Sequence, residues 1–124
     1  MMNEVEKMKA LSDETRFRIM RLLAKADTEV CACEIMDVLN KPQYSISKSL
    51  GILVSAGLIN ERREGKMMMY CLKKDGEFNL KTFDMLLTVK CASNESIKND
   101  VPRMKRRLSL REKGKCVISC CPDL

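Results

Sequence analysis

Seven cysteines and no histidine mean that any soft-metal site of this 124-residue chain rests on sulfur. Histidine is the commonest protein zinc ligand and the commonest general base, so its absence removes imidazole metal centres and most acid–base catalysis. No nucleophile has an evident base beside it, so the chain is not expected to be an enzyme and requires no cofactor. The thiols fall in two main groups: Cys31 and Cys33 flank Ala32, and Cys116, Cys120 and Cys121 lie together near residue 124. Thiolates hold soft ions and undergo reversible oxidation, so either group suits coordination or redox switching. If the tail is helical, Cys116 and Cys120 share a face and, with Cys121, make a trigonal thiolate site for As(III) or Sb(III). Cys91 falls on an apolar stripe, where packing is its expected role, and Cys71 is expected to point outward from a strand.

A second set of residues suits a polyanion. Gln43, Ser45, Ser47, Lys48 and Ser49 are interleaved with Ile46, Leu50, Leu53 and Val54 at helical spacing. A helix in the DNA major groove needs this division, because short polar side chains and lysine read base edges while the opposite face holds the helix in position. Arg62, Arg63 and Lys66 surround Gly65 and would bring a basic tip to the phosphate backbone or the minor groove. A formal net charge of +6 agrees, although charge alone does not separate nucleic acid from a membrane surface. No apolar run approaches the roughly 20 residues of a membrane span, and residues 1–10 lack the apolar core of a secretory signal. A cytoplasmic protein with reduced thiols and no membrane partner is expected, rather than a disulfide framework.

The elements that must position these residues follow from periodicity and punctuation. Val5, Met8 and Leu11 suggest a short amphipathic helix over 3–11. Ser12 or Asp13 can cap a second helix carrying Phe17, Ile19, Met20, Leu22 and Leu23, which ends near Asp27. A third helix is predicted over 29–40, with Thr28 as its cap, Val30, Ile35, Val38 and Leu39 inward and Asn40 as terminator. Pro42 breaks the chain before the polar helix, and Gly57 closes that helix as a left-handed cap. Residues 58–72 read as a hairpin turning at Gly65; with Met68, Tyr70 and Leu72 inward, Met67, Met69 and Cys71 face out. A further helix over 78–91 carries Leu80, Phe83, Leu87 and Cys91 on one stripe, a common form of subunit interface. Residues 92–100 read as a linker and 102–113 as a basic helix with Pro102 in its first turn. The expected organisation is a mostly α domain with a β-hairpin wing over 1–91, followed by a basic, cysteine-containing extension over 92–124.

The order of these elements, with four local phrases, resembles the ArsR (arsenical resistance operon repressor) family of winged helix-turn-helix repressors. The phrases are Leu11-Ser12-Asp13-Glu14-Thr15-Arg16-Phe17-Arg18-Ile19, Ser45-Ile46-Ser47-Lys48-Ser49-Leu50 with Ala56-Gly57-Leu58-Ile59, Arg62-Arg63-Glu64-Gly65-Lys66, and Tyr70-x-Leu72. The resemblance covers about residues 8–87 and implies a homodimer that leaves double-stranded operator DNA when an effector binds. Footprint size argues for two copies as well: one small module buries only about 600–1,000 Å² on DNA, so specificity calls for two reading helices roughly 34 Å apart.

Glu29-Val30-Cys31-Ala32-Cys33-Glu34-Ile35 is also similar to the family's metalloid-sensing motif, in which a third Cys stands three residues after the second. Met36 occupies that position, and its neutral thioether is a weak donor. A third thiolate would then come from elsewhere, with Cys116, Cys120 and Cys121 as candidates, within one chain or across the dimer. On an ideal helix Cys31 and Cys33 stand about 200° apart, so joint coordination would distort the helix start. As(III) or Sb(III) is the expected effector. Cd(II) or Pb(II) held by two helix and two tail thiolates, or a redox switch through a disulfide or persulfide, are the alternatives.

Overall fold

A computed structural model of the chain describes residues 3–88 and 95–111. The helix starts are set by side chains that satisfy otherwise orphaned amides. Asn3 Oδ1 accepts the Glu6 N–H (2.9 Å) at the start of α1 (Glu4–Leu11), and Asp13 Oδ2 accepts the Arg16 N–H (3.1 Å) at the start of α2 (Glu14–Ala26). After α2 the chain departs from the expected single helix over 29–40. Val30–Cys31 form a short strand, β1, and the helix α3 begins only at Ala32 and runs to Leu39. Thr28 is therefore not its cap; Cys31 is, with extended backbone (φ −85°, ψ 159°). Asn40 does end α3 in the left-handed conformation, at φ 53°.

Pro42 leads into α4 (Gln43–Ser55), whose Ile46, Leu50 and Leu53 are buried. Gly57 takes φ 76° and completes a paired cap in which its N–H donates to Val54 O (3.0 Å) and the Leu58 N–H donates to Leu53 O (3.1 Å). β2 (Ile59–Glu64) and β3 (Met67–Leu72) form the wing, in register from Ile59 opposite Leu72 to Glu64 opposite Met67. The wing is one side of a three-stranded antiparallel sheet of order β1-β3-β2, because β1 pairs with β3.

The main core gathers Ile19, Leu22 and Leu23 of α2, Ile35 and Val38 of α3, the inner face of α4, and Leu58, Leu86 and Met104. Two helices complete the body: α5 (Glu77–Thr88) and α6 (Glu95–Leu108). α6 begins well before the expected basic helix, inside the stretch expected to be a linker, and Pro102 lies within it rather than in its first turn. Tertiary contacts explain the difference. Arg18 donates twice to Asp100 (Nε and Nη2, both 2.9 Å) in a nearly dry site, and Ile97 and Met104 are buried beside it. The α1 stripe, in contrast, meets the body only at its end: Leu11 packs against the core beside buried Ala10, while Val5 and Met8 are exposed. Among the described residues, no helix is long and apolar enough to cross a membrane.

Candidate nucleic-acid interface and thiol site

The chain runs α3, a short turn, then α4, and the wing follows directly. This succession carries the first candidate site. Gln43, Ser47 and Lys48 are exposed on the first turns of α4, and Ser45 is half-buried. Ser49, grouped with them from the sequence, is buried and leaves the set of candidate contacts: it lies three residues after Ile46 and one before Leu50, at the edge of the packed face. Tyr44, absent from that sequence-derived set, is 79 % exposed at the same end of the helix.

Arg62, Arg63 and Lys66 are exposed on the wing. Arg62 is engaged: its Nη2 donates to Glu29 Oε1 (2.6 Å) and Glu64 Oε2 (3.0 Å). These hydrogen bonds raise the Arg62 pKa and hold the Glu29 carboxyl below its ordinary value. Among the described residues, Arg63 reaches only the Gly65 carbonyl, at 3.3 Å.

The second site lies beneath α4. Because Cys31 caps α3 instead of belonging to it, the 200° separation expected on a continuous helix does not arise. Cys31 and Cys33 are both buried in one small cluster with Met69, against which Met36 and Met67 pack. Neither thiol is in a disulfide. Two registers build the cluster: Cys31 stands directly opposite Met69 across β1 and β3, and Met36 follows Cys33 by three residues on α3. Met67 and Met69 were expected to face solvent, but β1 and the start of α3 cover that face of β3.

A cavity of about 70 Å³ opens here, and Gln43 and Ser47 of α4 share its lining with Cys31, Cys33, Met36 and Met67. Among the described residues, no third Cys, Asp, Glu or His joins the two thiols in a metal-binding group. Cys91, Cys116, Cys120 and Cys121 lie outside the described residues.

Polar residues that the sequence did not single out fix the thiols in place. Glu34, fully buried, accepts the Cys31 backbone N–H (3.0 Å) in a reciprocal capping box. Its carboxylate also takes two hydrogen bonds from Arg111, Nε at 2.8 Å and Nη2 at 2.6 Å. Arg111 Nη2 reaches the Glu29 carbonyl as well (2.7 Å). Nearer the helix, Arg107 Nε donates to Asp37 (2.7 Å) and Arg103 to the Val38 carbonyl (3.3 Å), so one side of α6 and the residues after it grip α3 along its length. The spacing of Arg103, Arg107 and Arg111 was visible as a helical row, but nothing in the sequence named its acceptors.

Comparison with known proteins agrees with this arrangement. Residues 13–61 match the model of the bacterial regulatory proteins of the arsR family. The chain is 43% identical over 70 residues to an uncharacterised HTH-type transcriptional regulator of Methanocaldococcus jannaschii, covering 56% of this chain and 78% of that protein. It is 31% identical over 86 residues to a candidate arsenical resistance operon repressor of Halobacterium salinarum, covering 69% and 72%. Among solved structures, reduced HlyU from Vibrio cholerae superposes with a TM-score of 0.62 at 29% identity, over 70% of this chain and 87% of that one. The homodimeric winged helix-turn-helix DNA-binding domain of a possible ArsR-family regulator from Mycobacterium bovis gives 0.57 at 29% identity, over 67% and 73%. With its helix-turn-helix, its wing and these relatives, the chain belongs to the ArsR family of winged helix-turn-helix transcriptional regulators.

Proposed function

We propose that the protein is a repressor that binds operator DNA as a homodimer and leaves it when As(III) or Sb(III) binds Cys31, Cys33 and a third thiolate among Cys116, Cys120 and Cys121. The observation that carries this reading is the shared cavity: the two thiols and the exposed Gln43 and Ser47 at the start of α4 line the same space. An ion seated on the thiols acts directly on the start of the reading helix, giving it the differential contact that a ligand-driven switch requires.

The anchoring of Arg111 supports a tail ligand. Residue 111 is held against Glu34, three positions from Cys31, and Cys116 follows after five residues. An extended chain covers about 3.3–3.6 Å per residue, so the reach is roughly 17 Å. The homodimer is supported by apolar side chains left open on adjacent helices. Lys7 of α1 donates to Asn79 of α5 (3.0 Å), and Val5, Met8, Leu80 and Met85 on these two helices are exposed. A regulator in this family from M. bovis is described as homodimeric.

The test is operator release under reducing conditions, followed by fluorescence anisotropy with As(III), Cd(II) and hydrogen peroxide as separate triggers. Cys31→Ser and Cys33→Ser are expected to hold DNA at As(III) concentrations that free the parent. Truncation after Lys113 is expected to weaken the As(III) response. Release of both serine variants as readily as the parent would move the effector site away from α3, and a stronger response to Cd(II) or peroxide would replace the metalloid.

A further inference from the structure

The cavity beside Cys31 and Cys33 contains more sulfur than a metalloid needs and of a different kind. We propose that it is also a site for Cu(I), bound by the two cysteine thiolates and completed by thioether sulfur from Met36 and Met67, without the C-terminal cysteines. The inference rests on the reading of Cys31 and Cys33 as effector ligands and adds a second ion to that site.

Position carries the argument. Met69 is the cross-strand partner of Cys31, Met67 lies two residues away on the same face of β3, and Met36 lies one turn along α3 from Cys33. All five side chains meet in one cluster, and four of them, Cys31, Cys33, Met36 and Met67, line a cavity of about 70 Å³. A water molecule takes about 30 Å³ of liquid, so the space is large enough to hold an ion.

The donor set then selects the ion. Mixed thiolate and thioether ligands favour Cu(I), whereas Mg²⁺, Ca²⁺ and Mn²⁺ require carboxylate, carbonyl or water oxygen. The nearby carboxylate, Glu34, is already taken up by Arg111 and by the Cys31 amide. Gln43, Ser47 and Tyr70, which also line the space, are neutral. Two thiolates carry two negative charges, so a monovalent ion leaves one residual charge to be buried, and thioethers add donors without adding charge. On binding, each thiol gives up its proton to solvent and forms a sulfur–copper bond, with no change of oxidation state. As(III), in contrast, takes three thiolates and gains little from a thioether.

The experiment uses the full chain, reduced and free of oxygen. Cu(I) is titrated in competition with a coloured Cu(I) chelator, and X-ray absorption counts the sulfur neighbours of the bound ion. The parent is expected to bind one Cu(I) with three or more sulfur neighbours, and Cys116→Ser, Cys120→Ser and Cys121→Ser combined are expected to leave that affinity unchanged. Met36→Leu with Met67→Leu is expected to weaken Cu(I) binding by at least about tenfold, as loss of supporting groups around a metal does, while leaving As(III)-driven operator release intact. Two sulfur neighbours in the parent, loss of binding in the triple serine variant, or full Cu(I) affinity in the methionine variant would each overturn the proposal. The sulfur count is taken on the parent and so does not depend on any variant folding. A parent that ignores As(III) yet binds Cu(I) through three sulfurs would instead remove the metalloid reading and leave the copper site standing.

Discussion

Arg111 holds Glu34 through two hydrogen bonds of 2.8 and 2.6 Å, on a carboxylate with no solvent exposure that also receives the Cys31 amide. One residue therefore ties the chain beyond α6 to the turn that carries the thiols. The pairing is bidentate, a geometry that the arginine fork provides and a lysine ammonium does not.

Removing Arg111 strands a buried charge. Arg111→Ala is expected to lower stability by about 3–5 kcal/mol, the usual loss when one partner of a buried pair is deleted. Arg111→Lys is expected to recover only part of it. Urea denaturation of the three proteins checks both statements, and a loss below about 1 kcal/mol for the alanine variant would show that Glu34 does not depend on this partner.

Arg18 and Asp100 offer the same test at the other end of α6. Asp100→Asn alone leaves Arg18 with an uncompensated charge in a nearly dry site, and a loss of about 3 kcal/mol or more is expected. Arg18→Met combined with Asp100→Leu should be less harmful than either single change, because no buried charge remains. A double-mutant cycle measures the difference, and additive losses would contradict a coupled pair.

These two pairs also mark where the sequence becomes silent. α2, α4 and the wing were legible because their apolar residues repeat at the helical or strand period and their ends carry Asp13, Gly57 and Gly65. The buried face of α6 comprises Ile97, Asp100, Met104 and Arg107, half of it charged, so no apolar stripe announces the helix, and Pro102 argues against one. Its position depends on acceptors and donors some 65 to 82 residues away. β1 has only two residues, and no local pattern distinguishes it; Val30 and Cys31 become a strand because β3 presents an edge to them. That one non-local pairing moved Cys31 out of the helix and turned Met67 and Met69 toward the thiols. The cysteine pair was visible in the sequence, but the way its two members meet was not.

The Glu29–Arg62 pair gives a titration with a definite sign. The Arg62 guanidinium holds the Glu29 carboxyl below its ordinary value of 4.5. A depressed folded-state value contributes stability above the ordinary one, and that contribution is lost as pH falls through the depressed value. The pair is partly exposed and the contribution is small. Carboxyl carbon shifts followed by NMR are expected to give Glu29 a midpoint below 4.5 in the parent and a higher one in Arg62→Ala. Equal midpoints in the two proteins would mean that the contact does not persist in solution.

The DNA face can be resolved residue by residue, because exposure separates side chains that the sequence grouped together. Lys48 is exposed and suited to a phosphate, so Lys48→Ala is expected to weaken binding evenly across sequences and to reduce the salt dependence by about one unit. Gln43 is suited to a base edge, and Gln43→Ala is expected to cost about 1–3 kcal/mol with relaxed preference at one position. Ser49 is buried, so Ser49→Ala should leave operator affinity unchanged. Arg62 must give up Glu29 and Glu64 before it can meet a phosphate, so its truncation should reduce the salt slope less than truncation of Arg63 or Lys66. Anisotropy titrations at three salt concentrations compare the six variants. A loss of affinity in Ser49→Ala comparable to that in Gln43→Ala would mean that α4 presents a different face to the groove.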